Sequence, residues 1–140
     1  MKIKELEIIQ VLNKLLIDPI IADTDKYSIV DARNKDYIVE LKHRNKFYPD
    51  MLIEFDKYKR LMDSSIFYNL IPLYVCSVEN GYIYIFNMNK VDAHHIIEWE
   101  NQFHNKTTEF ENNNKIEKRV GFIPVSLSKV ICTKGNIIKK

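Results

Sequence analysis

Tyr37-Ile38-Val39-Glu40-Leu41-Lys42 is an apolar run that carries a carboxylate and an ammonium two positions apart. Side chains of a strand alternate between its faces, so Glu40 and Lys42 share one face while Val39 and Leu41 share the other. Removing a charge from water is costly, and two on one face of so apolar a segment call for a partner or a task. Upstream, Tyr27-Ser28-Ile29-Val30 is a second apolar run ending in Asp31. The short polar link from Ala32 to Asp36 suits a hairpin, which brings Asp31 beside Glu40.

Outward from this pair, Ile3 to Leu16 holds Ile8, Ile9, Leu12, Leu15 and Leu16 at helical spacing and stops at Asp18-Pro19, where proline disfavours helix in the residue before it. Glu5 sits at the top of that apolar stripe, and Glu7 falls on the solvated side. Downstream, Lys42-His43-Arg44-Asn45-Lys46 is the most basic short run in the chain. Met51, Phe55, Tyr58 and Met62 then define one face of an expected helix from Met51 to Asp63, with Pro49 just ahead of it and Asp50 as its N-cap. Glu54, Lys57 and Tyr48 are polar groups near its start. Ile71 to Val78 reads as a strand, Asn80-Gly81 as a type I′ hairpin turn, and Tyr82 to Phe86 as the returning strand. Both faces of these strands are apolar, as in a sheet covered on both sides.

Past Val91 the pattern weakens. Asp92 to Asn105 carries His94, His95, Glu98, Trp99 and His104; with no third ligand at a recognisable interval, these read as surface histidines on a partly helical arm and not as a metal site. Thr107 to Arg119 is polar and reads as a loop. Val120 to Ile123 reads as an edge strand closed by Pro124, and Val125 to Ile131 has no clear period.

Two acids and a lysine at the ends of adjacent strands, Asp31 and Glu40-x-Lys42, resemble the signature of the PD-(D/E)XK nuclease superfamily. The resemblance covers about residues 3 to 88; Val30 stands where the family name has proline, and the literal Pro49-Asp50 pair follows Glu40-x-Lys42 instead of preceding it. It implies an α/β (α+β) restriction-endonuclease-like fold with an αβββαβ core, a central mixed sheet flanked by helices, and a strand near Ile20-Ile21 that is weakly marked here. It also implies a Mg²⁺- or Mn²⁺-dependent endodeoxyribonuclease. Asp31, Glu40 and Glu5 would be the metal-binding and catalytic acids, Lys42 the catalytic amine, and Arg44, Lys46 and Lys57 the DNA contacts. Two adjacent acids repel and raise one pKa, a conflict that Lys42 and a cation are expected to relieve. The small size points to structure-selective cutting of branched DNA, as in the Holliday junction resolvases of the superfamily, and to a homodimer. The alternative is a catalytically inactive module of the same fold that binds DNA or a protein.

Composition bounds these expectations. At 140 residues the chain suits one domain, with a core over about 3 to 88 and an extension over 91 to 140. A net charge of +2 excludes a polybasic binder, so attraction to phosphate must come from the placement of Lys and Arg. No segment is apolar for the roughly 20 residues that cross a bilayer, and the opening residues lack the run of a signal peptide. The expectation is an intracellular, cytoplasmic protein with no membrane partner and with Cys76 and Cys132 as buried thiols.

Overall fold

Helix α1, Ile3–Asn13, buries Ile8, Ile9, Val11 and Leu12. It ends three residues earlier than its apolar spacing predicts, because the Asn13 side chain turns the chain back: its Oδ1 accepts the Ile20 N–H at 2.7 Å and its Nδ2 donates to the Ile20 carbonyl at 3.3 Å. The computed structural model describes residues 3–14, 16, 18–22, 31–105, 115–132 and 137–139. The strand expected over Tyr27 to Val30 and the Cys132 side chain lie outside the described residues, as does most of the 107–119 loop.

Two short strands follow, β1 (Ile21–Ala22) and β2 (Ala32–Arg33), then the long β3 (Tyr37–Arg44). The weakly marked strand beside Ile20 is thus present as β1. The hairpin between β2 and β3 turns at Asn34, whose Oδ1 accepts the N–H groups of Asp36 and Tyr37 at 2.8 and 2.7 Å. Asparagine favours such turns because its side chain mimics the backbone.

The next segment differs from expectation. Asp50–Glu54 is strand β4, and helix α2 begins only at Phe55, running to Tyr68. Met51 and Ile53 are buried on alternate positions, so a period of two, reinforced by pairing with a distant strand, wins over the helical spacing that Met51 shares with Phe55. Asp50 is therefore a strand residue and caps nothing; Glu54 occupies the N-cap position without a capping bond from its side chain.

Strands β5 (Ile71–Val78) and β6 (Tyr82–Asn87) form the predicted hairpin. Its turn is not type I′: Gly81 has φ of 90° but Asn80 does not take a positive φ. The Gly81 N–H donates to the Val78 carbonyl at 3.0 Å, a type I turn closed by a glycine bulge. Helix α3 (Met88–Ala93) comes next, followed by β7 (Glu100–Asn105), β8 (Lys115–Pro124), a 3₁₀ turn over Val125–Leu127, β9 (Lys129–Cys132) and β10 (Ile137–Lys139). The expected helical arm is thus helix only to Ala93 and ends in strand β7, and His94 and His95 lie exposed just after α3.

The main sheet has the order β1-β2-β3-β5-β6-β9-β10, and β4-β8-β7 make a second sheet with β8 in its centre and not at an edge. Only β3 and β5 pair in parallel among the described strands; the crossover between them runs through β4 and α2, as a parallel connection requires. Side-chain alternation then sorts the core into two layers. Val39, Leu41, Leu73, Val75, Ile83 and Ile131 pack on α1. Ile38, Tyr74, Cys76 and Phe86 pack on the other face with Leu61 of α2, Met51 and Ile53 of β4, and Ile123 of β8. Glu40 and Lys42, in register with Ile38, consequently face α2 and the second sheet. No helix among the described residues is long and apolar enough to cross a membrane.

Candidate active site

The ladder between β2 and β3 pairs Ala32 with Val39 and Arg33 with Ile38 and then stops. Continued by one residue, the same register sets Asp31 opposite Glu40, as the sequence predicts. Two residues beyond the ladder on β3, the Leu41 N–H donates to Asp31 Oδ2 at 2.8 Å. Asp31 thus terminates the ladder with its side chain, and a carboxylate has further lone pairs to offer.

Where β2 gives out, a pocket of about 180 Å³ opens on this edge of β3. Glu5 of α1, Asp31, and Glu40 and Lys42 of β3 all line it, so the four residues singled out from the sequence converge. Glu54 at the end of β4, Lys57 in the first turn of α2, Arg44 and Tyr74 complete the wall. Glu7 is exposed and lines a separate hollow with Lys4 and His43.

Glu40 is the chemical centre of the pocket. Its residue is only 6% exposed, and its carboxyl is pushed up to about 8, first by burial and then by the charge of Asp31, with Glu5 adding to the effect. Lys57 and Arg60 oppose the rise; Lys57 Nζ lies 3.7 Å from Glu40 Oε1. These two cations come from α2, which packs across this face of the sheet, and they relieve Glu40 beside the Lys42 expected from the sequence. Lys42 acts on Glu54. Burial raises the Glu54 carboxyl, but the hydrogen bond and charge of Lys118, 2.7 Å away, together with Lys42 and Lys57, hold it below its ordinary value.

Other expected contacts sort differently. Arg44 Nη2 donates to the Leu52 carbonyl at 2.8 Å and to Tyr74 Oη at 3.4 Å, while Tyr74 Oη donates to the same carbonyl at 2.9 Å. Arg44 thus ties β3 and β5 to β4, with its buried Nε unpaired. Lys46 is exposed and outside the pocket lining. His43 points to the α1 side, bonded to Ser77 Oγ at 2.6 Å and Glu79 at 2.9 Å, and Tyr48 lines a different hollow beside Pro49 and Phe122. Sequence reasoning missed Arg60 and Lys118; the only signal for Lys118 is its position two residues ahead of the apolar Val120-Gly121-Phe122-Ile123 run.

A divalent cation is implied by the resemblance, and the donor set fits one in a specific sense. Two carboxylates side by side, one of them buried and unwilling to ionise, form a site that a cation stabilises. Among the described residues no group of three His, Cys, Asp or Glu is close enough to hold a metal unaided. Glu5, expected as a third metal ligand, is therefore not grouped with Asp31 and Glu40 closely enough to share an ion. Mg²⁺ is commonly held by one or two carboxylates, with water and substrate phosphate completing the octahedron, and Asp31 and Glu40 are the pair that would hold it.

No family model matches the sequence, and no curated protein matches it. Among solved structures the chain is similar to the Holliday junction resolvase Hjc of the archaeal hyperthermophile Archaeoglobus fulgidus, with 13% identity and a TM-score of 0.55 over 89% of this chain and 84% of that one. At that identity the likeness is one of fold: this chain is a mixed α+β protein whose mixed sheet, flanked by helices, is arranged as in that resolvase.

Proposed function

We propose that the chain is a divalent-metal-dependent endodeoxyribonuclease that hydrolyses phosphodiester bonds of branched DNA. The observation that carries this reading is the meeting of Glu5, Asp31, Glu40 and Lys42 in one pocket, with Glu40 held near pH 8. The fold shared with a Holliday junction resolvase supports the choice of branched DNA. A homodimer is the working form in this reading, because symmetric resolution of a junction takes two such pockets, and a DNA substrate implies an intracellular site of action.

Asp31 and Glu40 would hold Mg²⁺ or Mn²⁺, with the carbonyl of Leu41 beside them. When bound, the ion supplies Lewis acidity and a water of lowered pKa. Glu40 must shed its proton to serve as a ligand, and Lys57 and Arg60 favour the ionised form that does so. Glu5 adds negative charge at the rim and helps keep the pocket selective for cations. Lys42, on the same strand face as Glu40, offers donors to the attacking water and to the oxygens on which charge grows.

The test is incubation of the purified chain with supercoiled, linear, single-stranded and four-way-junction DNA, with and without Mn²⁺. Cleavage that needs Mn²⁺, prefers the junction, and disappears in Glu40→Gln and Lys42→Ala is the expected result. Junction cleavage that survives either substitution refutes the residue roles, and no cleavage of any DNA refutes the activity.

A further inference from the structure

We infer that the cleft between the start of α2 and the β7-β8 ribbon is a binding track for a DNA sugar-phosphate backbone leading into the pocket, an inference that rests on the nuclease reading. Strand β4 stops at Glu54, where the chain turns into α2, so β8 pairs with β4 only from Val120 to Pro124. Among the described strands its Lys115 to Arg119 stretch pairs with β7 alone. That unpaired side of β8 faces α2 across a cleft of about 650 Å³.

The cleft and the acidic pocket share Glu54 and Lys57 in their linings, so they adjoin across these two side chains. Four cations line the cleft: Lys57 and Arg60 from α2, Lys118 and Arg119 from β8. Three acids line it too, but Glu54 is matched by Lys118 at 2.7 Å. Asp56 and Glu117 are exposed, as are Arg60 and Arg119, so water screens both signs alike and the lining keeps one more cation than it has acids. The Arg119 guanidinium lies over the Phe55 ring, 4.4 Å from its centroid, and the Phe55 ring is itself held edge-on to Trp99 at 5.0 Å. The ring contact holds the Arg119 guanidinium beside the cleft, and among the described residues no hydrogen bond engages its N–H fork, which suits phosphate oxygens. Arg60 is exposed on the next turn of α2, and its charge already reaches Glu40. One cation set thus spans the distance from the outer ribbon to the buried acid. Such contacts place a backbone and read no sequence, which is what a substrate defined by branching requires.

The test measures binding of the full-length chain to a four-way junction by fluorescence anisotropy in Ca²⁺, over about 50 to about 200 mM KCl. Each phosphate contact contributes about 0.9 to the slope of log K against log salt. Arg60→Gln with Arg119→Gln is expected to lower that slope by about two and to weaken binding equally across junction sequences. Arg60→Lys keeps the wild-type slope. Lys59→Gln, which removes only a surface partner of Asp63, also leaves the slope unchanged. Should loss of the Phe55 stack unfold the double variant, Arg60→Gln alone still lowers the slope by about one. A folded double variant with the wild-type slope overturns the inference and leaves the nuclease reading standing. A reduced slope in a protein that never cleaves with Mn²⁺ supports the track and removes the nuclease reading, and a wild-type chain that binds no DNA overturns both.

Discussion

Replacing Glu40 by Gln tests the electrostatics of the pocket before any substrate is added. The Glu40 carboxyl is pushed from its ordinary 4.5 to about 8 by burial and by Asp31. Below pH 4.5 both folded and unfolded chains hold the proton and the group is silent. Between 4.5 and 8 the unfolded chain has released a proton that the folded chain keeps, so stability falls as pH rises, and above 8 the full penalty applies. With about 1.4 kcal/mol per pH unit, the displacement corresponds to roughly 5 kcal/mol as an upper bound; local opening that admits water reduces it. Gln is uncharged at every pH and nearly the same shape, so Glu40→Gln is expected to match wild type at pH 4 and exceed it at pH 9. Urea unfolding at intervals across this range, without divalent ions, is the assay. A pH slope that is the same in both proteins, or a variant less stable than wild type at pH 9, would refute the assignment of a strained buried carboxylate.

Three further outcomes follow from the same geometry. Asp31→Asn keeps a carbonyl oxygen to accept the Leu41 N–H while removing the charge that raises Glu40, so carbon-13 NMR titration should find the Glu40 carboxyl below about 8, at a stability cost under about 1 kcal/mol. Lys57→Gln has the opposite effect on that titration, because Lys57 lowers the Glu40 value; an unchanged midpoint would remove Lys57 from the site. Gly121→Ala sets a methyl 2.5 Å from Ile97 Cγ2 and 3.1 Å from the Trp99 ring, and the overpacking should cost about 1 to 3 kcal/mol by urea unfolding without moving the Glu40 titration.

The legible parts of this protein are those in which local pattern and tertiary partner agree. In β3 the charged residues alternate with Val39 and Leu41, and the Asn34 turn sets the register that puts Asp31 across from Glu40. Strand β5 coincides with its apolar run because both of its faces are covered. Strand β4 is illegible for the opposite reason: Met51 satisfies a helical and a strand period at once, and the partner that decides, Phe122 opposite Leu52, lies far along the chain. The β7-β8 ribbon has little apolar alternation because it is largely solvated, Phe103 being 69% exposed, so its charges read as loop. Arg44 reads as a phosphate contact, since nothing local announces that the Leu52 carbonyl will take its guanidinium. The cation 3.7 Å from Glu40 is likewise set by how α2 crosses the sheet, which adds Lys57 to the Lys42 that strand alternation points to.

The central claim is that Asp31 and Glu40 together bind a divalent cation, and calorimetric titration with Mn²⁺ tests it most directly. A Glu40 carboxyl held near 8 must lose its proton on binding, because a metal ligand has to be deprotonated. At pH 7, titrations in buffers of different ionisation enthalpy should therefore show close to one proton released per ion bound. The release should shrink toward zero above pH 9 and be absent in Glu40→Gln, which should also bind far more weakly. Wild-type and Glu40→Gln chains that take up Mn²⁺ alike, or a wild-type chain that takes up none, would contradict the account.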